Sequence, residues 1–369
     1  MSFFEVLTQY QDFSFDDYFA TVTDADIARI VTLDKLRPAD FLALLSPVAA
    51  NHLELIAQRA HQLTVQYFGK TIQLFTPLYI SNHCSNNCIY CGFNHTNEIK
   101  RRTLTLAEIE EEAAALSRTG MQHVLLLTGE SLQATPIDYL VDTVRCLKKY
   151  FASVAIEIFP MEEEEYRLLY REGVDGLTLF QETYDQETYR KVHLAGRKKD
   201  FRFRLDGPER GARAGFRTVN IGALLGLAES RRDFFFTGLH AAYLEQQFLD
   251  TEVAVSLPRF NEAECDYNPP FSVNDKLFVQ YLMAFRLFLP RAGITVSTRE
   301  SSAMRDNLTR LGATRFSAGV CTTVGGYSKA DSSDTPQFEI TDERSVAEVA
   351  TAIRQQGYQP VYKDWDDIR

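Results

Sequence analysis

Two spacings of apolar residues alternate along the chain. Short runs rich in β-branched and apolar residues read as eight strands: TIQLFTPLYI (71–80), HVLLLT (123–128), SVAIEI (153–158), DGLTLF (175–180), TVNIGAL (218–224), EVAVSL (252–257), ITVST (294–298) and TRFSA (314–318). Between them, apolar residues recur three and four apart, the spacing of one helix face. In TLAEIEEEAAALSRTG, Thr105 and Glu108 have capping-box spacing, Ile109, Ala113 and Leu116 share a face, and Gly120 stands at the stop. Leu140, Val144 and Leu147 repeat the pattern over 137–151, and the apolar stretch 274–289 predicts a buried helix. Strands alternating with helices from 71 to 318 predict an α/β fold, a (β/α)8 TIM-type barrel of ordinary length. A doubly wound open sheet is the second reading, because periodicity does not report closure.

The barrel is expected over 71–325. Residues 1–70, which include SPVAANHLELIAQRAHQLTVQYFG, read as a helical segment over the barrel's N-terminal side. Residues 326–369 read as an extension packed on the barrel: a Gly-Gly-Tyr turn, a polar loop, one helix around 343–356 and the tail YQPVYKDWDDIR. Trp365, the only tryptophan, is expected to dock on the body. No Gly/Ser linker, low-complexity tract or repeat divides the chain.

With 45% hydrophobic and 24% charged residues among 369, the composition suits a soluble protein with a large core. A net charge of −11 argues against nonspecific binding to nucleic acid or anionic membranes. The start MSFFEVLTQYQDFSFDDYF lacks a basic region followed by an apolar run, and no stretch approaches the roughly 18–20 apolar residues of a membrane span. The expected compartment is the cytoplasm, where clustered cysteines more often hold metal than form disulfides.

Three of the six cysteines lie in CSNNCIYC: Cys84, Cys88 and Cys91, spaced C-x3-C-x2-C. Cys146, Cys265 and Cys321 are isolated. A Cys3His zinc knuckle using His83 or His95 is one reading of the set. The lack of a second close-spaced pair favours the other, a [4Fe–4S] cluster held by three thiolates with one iron left open. Barrel active sites form at the C-terminal ends of strands. Polar residues gather there: the cysteines after the first strand, Thr128-Gly129-Glu130 after the second, Glu157 ending the third, Gln181-Glu182-Thr183-Tyr184 after the fourth, Arg299 after the seventh and Ser317 in the eighth. The run Lys100-Arg101-Arg102 reads as a solvated basic patch, and His83 and His95 as loop residues.

C-x3-C-x2-C with Tyr90 before the last cysteine resembles the radical S-adenosylmethionine (SAM) superfamily. The resemblance implies that Cys84, Cys88 and Cys91 hold the cluster and that SAM chelates its open iron and yields a hydrogen-abstracting radical. Thr128-Gly129-Glu130 resembles the superfamily's Gly-Gly-Glu element beside the methionyl amine, with threonine in the first place. By the same resemblance Glu157 meets the ribose, Arg204 rather than Arg202 meets the methionyl carboxylate, and Gly222 and Ala223 in IGALLGL lie beside adenine.

Further stretches, among them TPLYISNHCSNNCIYCGF, NEIKRRTL, QETY, STRES, VGGY and QPVYKDWDDI, resemble the 2-iminoacetate synthases, tyrosine lyases of thiamine biosynthesis. That implies cleavage of the Cα–Cβ bond of L-tyrosine to 2-iminoacetate (dehydroglycine) and p-cresol. Arg299 would anchor the substrate carboxylate with help from Ser297, Ser301 or Ser317, and Glu182 or Tyr184 would address the amine or phenol. It also implies thiazole synthase as partner and a flavodoxin- or ferredoxin-type electron donor. The related tyrosine lyase of hydrogenase maturation needs a second C-terminal cysteine cluster, and no cysteine follows Cys321 here. A tryptophan lyase of antibiotic assembly is a more distant reading, and a non-catalytic Fe–S scaffold is the alternative from another class.

Overall fold

The computed structural model describes residues 2–260, 267–329, 334–363 and 365, so Cys265 lies outside the described residues. Among these, eight parallel strands form the barrel: β1 Thr71–Ser81, β2 His123–Thr128, β3 Ser153–Glu157, β4 Val174–Glu182, β5 Thr218–Ala223, β6 Glu252–Ser256, β7 Gly293–Val296 and β8 Arg315–Ser317. Each pairs with the next, and β8 returns to β1 with Ser317 opposite Phe75, so the sheet closes. The open-sheet reading is thereby excluded.

Strand alternation separates the two sides of the wall. Val154 and Ile156 turn outward to pack in one cluster with Leu140, Val144 and Leu147 of the helix Ile137–Leu147. Their neighbours Ser153, Ala155 and Glu157 face an internal cavity of about 240 Å³. Barrels of this class ordinarily fill the inside with bulky branched side chains. Here the wall carries Ala155, Gly176, Thr178, Asn220, Ser256 and Thr295, too small to fill it.

The helix Leu106–Ser117 opens on the reciprocal Thr105–Glu108 capping box, and Gly120 follows at φ 85°. The helix Asp275–Phe288 is buried along most of its length. The N-terminal helices Pro38–Leu44 and Leu53–Phe68 pack chiefly against it, on the barrel's flank, with Phe41 stacked on Phe288 at 4.5 Å. Phe3 reaches the helix Ser230–Gln247 and stacks on His240 at 4.1 Å.

The segment that follows β8 leaves through Gly325 and Gly326, both at positive φ, and Tyr327 donates to the Pro77 carbonyl at 2.6 Å. The helix Val346–Gln355 follows, and Trp365 lies over the Arg217 guanidinium at 4.9 Å. Two short pairings have no counterpart in the sequence pattern. Asn87–Cys88 pairs antiparallel with His193–Ala195, and Gln359–Val361 runs parallel to the start of β1. Segments of two or three residues are too short to show a period.

Candidate active site

The cysteine loop is held by contacts from three directions. Arg101 donates to the carbonyls of Asn82 (2.7 Å), Phe93 (2.9 Å), Asn94 (2.5 Å) and Asn97 (3.2 Å). Lys100 and Arg102 both pair with Asp334, and Arg102 also pairs with Glu108. The basic run is therefore a staple for the loop, not a solvated patch. On the second side, a Cβ at Gly129 would fall 2.3 Å from the His83 carbonyl oxygen, so only glycine lets β2 end this close to the loop. Glu130 completes that contact, accepting from the Ser85 N–H at 2.8 Å through its carbonyl and from Asn86 at 2.6 Å through its carboxylate. On the third side, the Ile89 N–H donates to the Val192 carbonyl and the Lys198 N–H to the Asn86 side chain. The Tyr90 hydroxyl meets His193 Nε2 at 2.7 Å. His83 and His95 make backbone contacts within the loop.

The three thiols stand close enough to perturb one another. Burial, and then the neighbouring thiols, push Cys88 up to about 12 and Cys91 to about 11, while Lys198 opposes both. Among the described residues, no three His, Cys, Asp or Glu groups converge as ligands of a single ion. Three thiols on one loop suit a cluster, in which each iron takes its own thiolate. Bound iron also reverses the burial effect, since the local positive charge deprotonates a coordinating thiol.

Cys91 and Tyr90 line the internal cavity together with Glu157, Glu182, Ser297, Arg299 and Ser317. Burial and then the Glu182 charge raise the Glu157 carboxyl to about 7. Glu182 is the only described non-glycine residue at positive φ, 70°. Its carboxylate pairs with Lys198 at 2.7 Å and with Arg204 at 3.5 Å. Burial works to raise this carboxyl, but those two cations outweigh it and hold it below the usual range. Arg204 is buried and donates to the Phe180 carbonyl at 2.6 Å, whereas Arg202 is half-exposed and pairs with Asp206. At the end of β5, a Cβ on Gly222 would lie 2.6 Å from the Ser256 carbonyl oxygen, and Ala223 is buried beside it.

Arg299 enters the cavity from the loop after β7, its guanidinium 3.5 Å from the centroid of Phe338. Neither acid nearby in sequence holds it. Glu300 is buried against Arg259, and Asp306 pairs with Arg344. Thr341 and Asp342 fix the backbone beneath it, donating to the Thr298 carbonyl at 2.8 and 3.2 Å. The Asp342 carboxylate meets Arg305, both side chains fully buried.

Two expected site residues lie elsewhere. Ser301 is exposed and caps the helix Ser302–Leu308, accepting from the Met304 N–H. Tyr184 is buried outside the barrel wall, its hydroxyl 3.0 Å from His240 Nδ1. The positive φ at Glu182 breaks the strand alternation that would have aimed Tyr184 inward. Sequence reasoning missed Lys198, Asn86, His193, Gln337 and Phe338. Lys198 sits in the run Arg197-Lys198-Lys199, which carries no motif, and Gln337 and Phe338 come from the extension after β8.

Residues 78–236 match the Radical SAM superfamily and residues 256–359 the Biotin and Thiamin Synthesis associated domain. The chain is 40% identical over 345 residues to 2-iminoacetate synthase of Escherichia coli, covering 93% of this chain and 91% of the relative. It is 39% identical over the same shares to 2-iminoacetate synthase of Salmonella typhimurium. Among solved structures it is similar to the FeFe-hydrogenase maturase HydG from Carboxydothermus hydrogenoformans, with a TM-score of 0.90 and 29% identity over 99% of this chain and 86% of that one.

Proposed function

Because the chain belongs to the 2-iminoacetate synthase family of the radical SAM superfamily, we propose that it is a carbon–carbon lyase that splits L-tyrosine between Cα and Cβ. The products are 2-iminoacetate, for the thiazole of thiamine, and p-cresol. The observation that carries this reading is that Cys91 and Arg299 line the same cavity, so a cluster loop and an amino-acid anchor share a single chamber.

The cofactors are a [4Fe–4S] cluster and SAM, which when bound supply one electron and a hydrogen-abstracting radical. The protein contributes placement and exclusion. Cys84, Cys88 and Cys91 would hold three irons, with Tyr90 packed against the loop. Gly129, Glu130, Gly222 and Ala223 would bring backbone to the cofactor, Glu157 would meet its ribose, and Arg204 its carboxylate. Arg299 would take the tyrosine carboxylate through a planar fork, with Ser297 beside it. The chamber wall denies the radical other hydrogens and water.

In this reading residues 1–70 buttress the flank, 71–325 carry the chemistry, and 326–369 complete the chamber wall through Gln337 and Phe338. Thiazole synthase is the proposed acceptor of the product, and a flavodoxin- or ferredoxin-type protein the electron donor. No helix among the described residues is long and apolar enough to cross a membrane, and we place the protein in the cytoplasm.

The test is anaerobic reconstitution followed by reductant, SAM and L-tyrosine, with p-cresol and glyoxylate (from hydrolysed 2-iminoacetate) measured. Both should appear together. SAM cleavage that yields no p-cresol with tyrosine would remove the substrate assignment. No SAM cleavage at all would leave the scaffold alternative.

A further inference from the structure

The para hydroxyl of the substrate has no assigned partner once Tyr184 is placed outside the wall and Glu182 is engaged by two cations. We propose that a polar belt halfway down the barrel, formed by Thr178, Asn220, Ser256, Thr295 and Ser317, is the subsite that receives the phenol hydroxyl and selects tyrosine over phenylalanine. This rests on the tyrosine lyase reading.

All five line the cavity and all are buried. Five adjacent strands, β4 to β8, contribute one each, at positions where branched apolar residues would ordinarily fill a barrel. The belt is preorganised: Asn220 donates to Ser256 Oγ at 2.9 Å and to Thr178 Oγ1 at 3.3 Å. Its Oδ1 also accepts from Ser256, and a second lone pair can take a phenol O–H. The Ser317 hydroxyl is buried with no hydrogen-bond partner, a donor suited to the phenol oxygen.

Thr295 stands on β7 and Arg299 in the turn that follows it, so the belt lies deeper in the barrel than the carboxylate anchor. Leu127 and Phe180 above the belt, and Phe75 level with Ser317, supply apolar wall for the ring. A ring without the hydroxyl would leave the belt desolvated and unpaired, the situation in which hydrogen-bonding sites discriminate most strongly.

The test measures binding of L-tyrosine and L-phenylalanine to reconstituted protein with SAM and no reductant, by equilibrium dialysis, so that turnover plays no part. The wild type should prefer tyrosine by at least a hundredfold. Asn220→Leu should cut that preference at least tenfold by weakening tyrosine, with iron content and SAM affinity unchanged. Should Asn220→Leu fail to fold, Ser317→Ala and the isosteric Thr295→Val decide, each with a severalfold loss of preference. A wild-type preference ratio in the folded variants would overturn the subsite while leaving the lyase reading intact. A wild type that binds no tyrosine would overturn both.

Discussion

Arg299 shows how much the role of one side chain depends on its neighbours. Its guanidinium lies over Phe338, and Glu300 and Asp306 are taken by Arg259 and Arg344. A planar cation in a buried wall suits bidentate capture of a carboxylate. Arg299→Lys keeps the charge and loses the fork. Its tyrosine affinity should fall about tenfold or more, a loss on the order of 1.5–3 kcal/mol for a hydrogen bond to a charged group. SAM cleavage should continue with little p-cresol. A parallel fall in cluster content and thermal stability would instead mark Arg299 as structural. Arg204→Ala should weaken SAM binding by a similar ~1.5–3 kcal/mol, and Arg202→Ala, on the surface, should not. Calorimetric titration of both variants separates them, and the reverse order would give the role to Arg202. Arg299 stands out in sequence by its place after a strand and Arg204 only by the family resemblance. The structure lines the cavity with the first and buries the second in the helix Phe201–Leu205. The place of Tyr184 was not legible, because a single positive-φ residue turns it out of the wall.

At the scale of the element, the cysteine loop is a backbone ring tied to one arginine. Four carbonyls converge on Arg101, whose side chain is drawn into the loop. In sequence Lys-Arg-Arg is a charge run, and charge runs are usually solvated. Its fold-specific use requires carbonyls far enough apart in the chain that no local pattern announces them. Arg101→Met retains much of the stem and removes every donor. The expected result is a loop that no longer holds its thiols in register, with reconstituted iron reduced severalfold while far-UV circular dichroism stays native. Full iron loading in Arg101→Met would show that the loop is held without it. The barrel strands, by contrast, were legible to within two residues at either end, because they are runs of apolar and β-branched residues set between helical patterns.

The whole molecule couples an unfilled barrel interior to a shell that carries the packing. Outward-facing strand residues meet helices, and the cavity keeps several acids in a dry wall. Asp175, one of them, lies near the start of β4, accepts from Ser153 Oγ at 2.8 Å and has its second oxygen buried without a partner. Burial raises its carboxyl to about 6 despite the Ser153 hydrogen bond. An unfolded aspartate titrates near 3.9, so the folded state binds this proton more tightly. The contribution to stability is therefore complete below about pH 4 and is lost as pH rises through about 6. A rise of that size is worth at most about 2–3 kcal/mol. Asp175→Asn keeps an acceptor for Ser153 and cannot ionise. Denaturant unfolding of the cofactor-free protein should give equal stability for variant and wild type near pH 4. At pH 8 the variant should be more stable by about 1–3 kcal/mol. Glu157 and Asp233, each raised to about 7 first by burial, act in the same direction, so some slope should remain in the variant. Identical slopes in the two proteins between pH 4 and 8 would mean that Asp175 is hydrated in solution, and the dry-wall account of the lower barrel would fail with it.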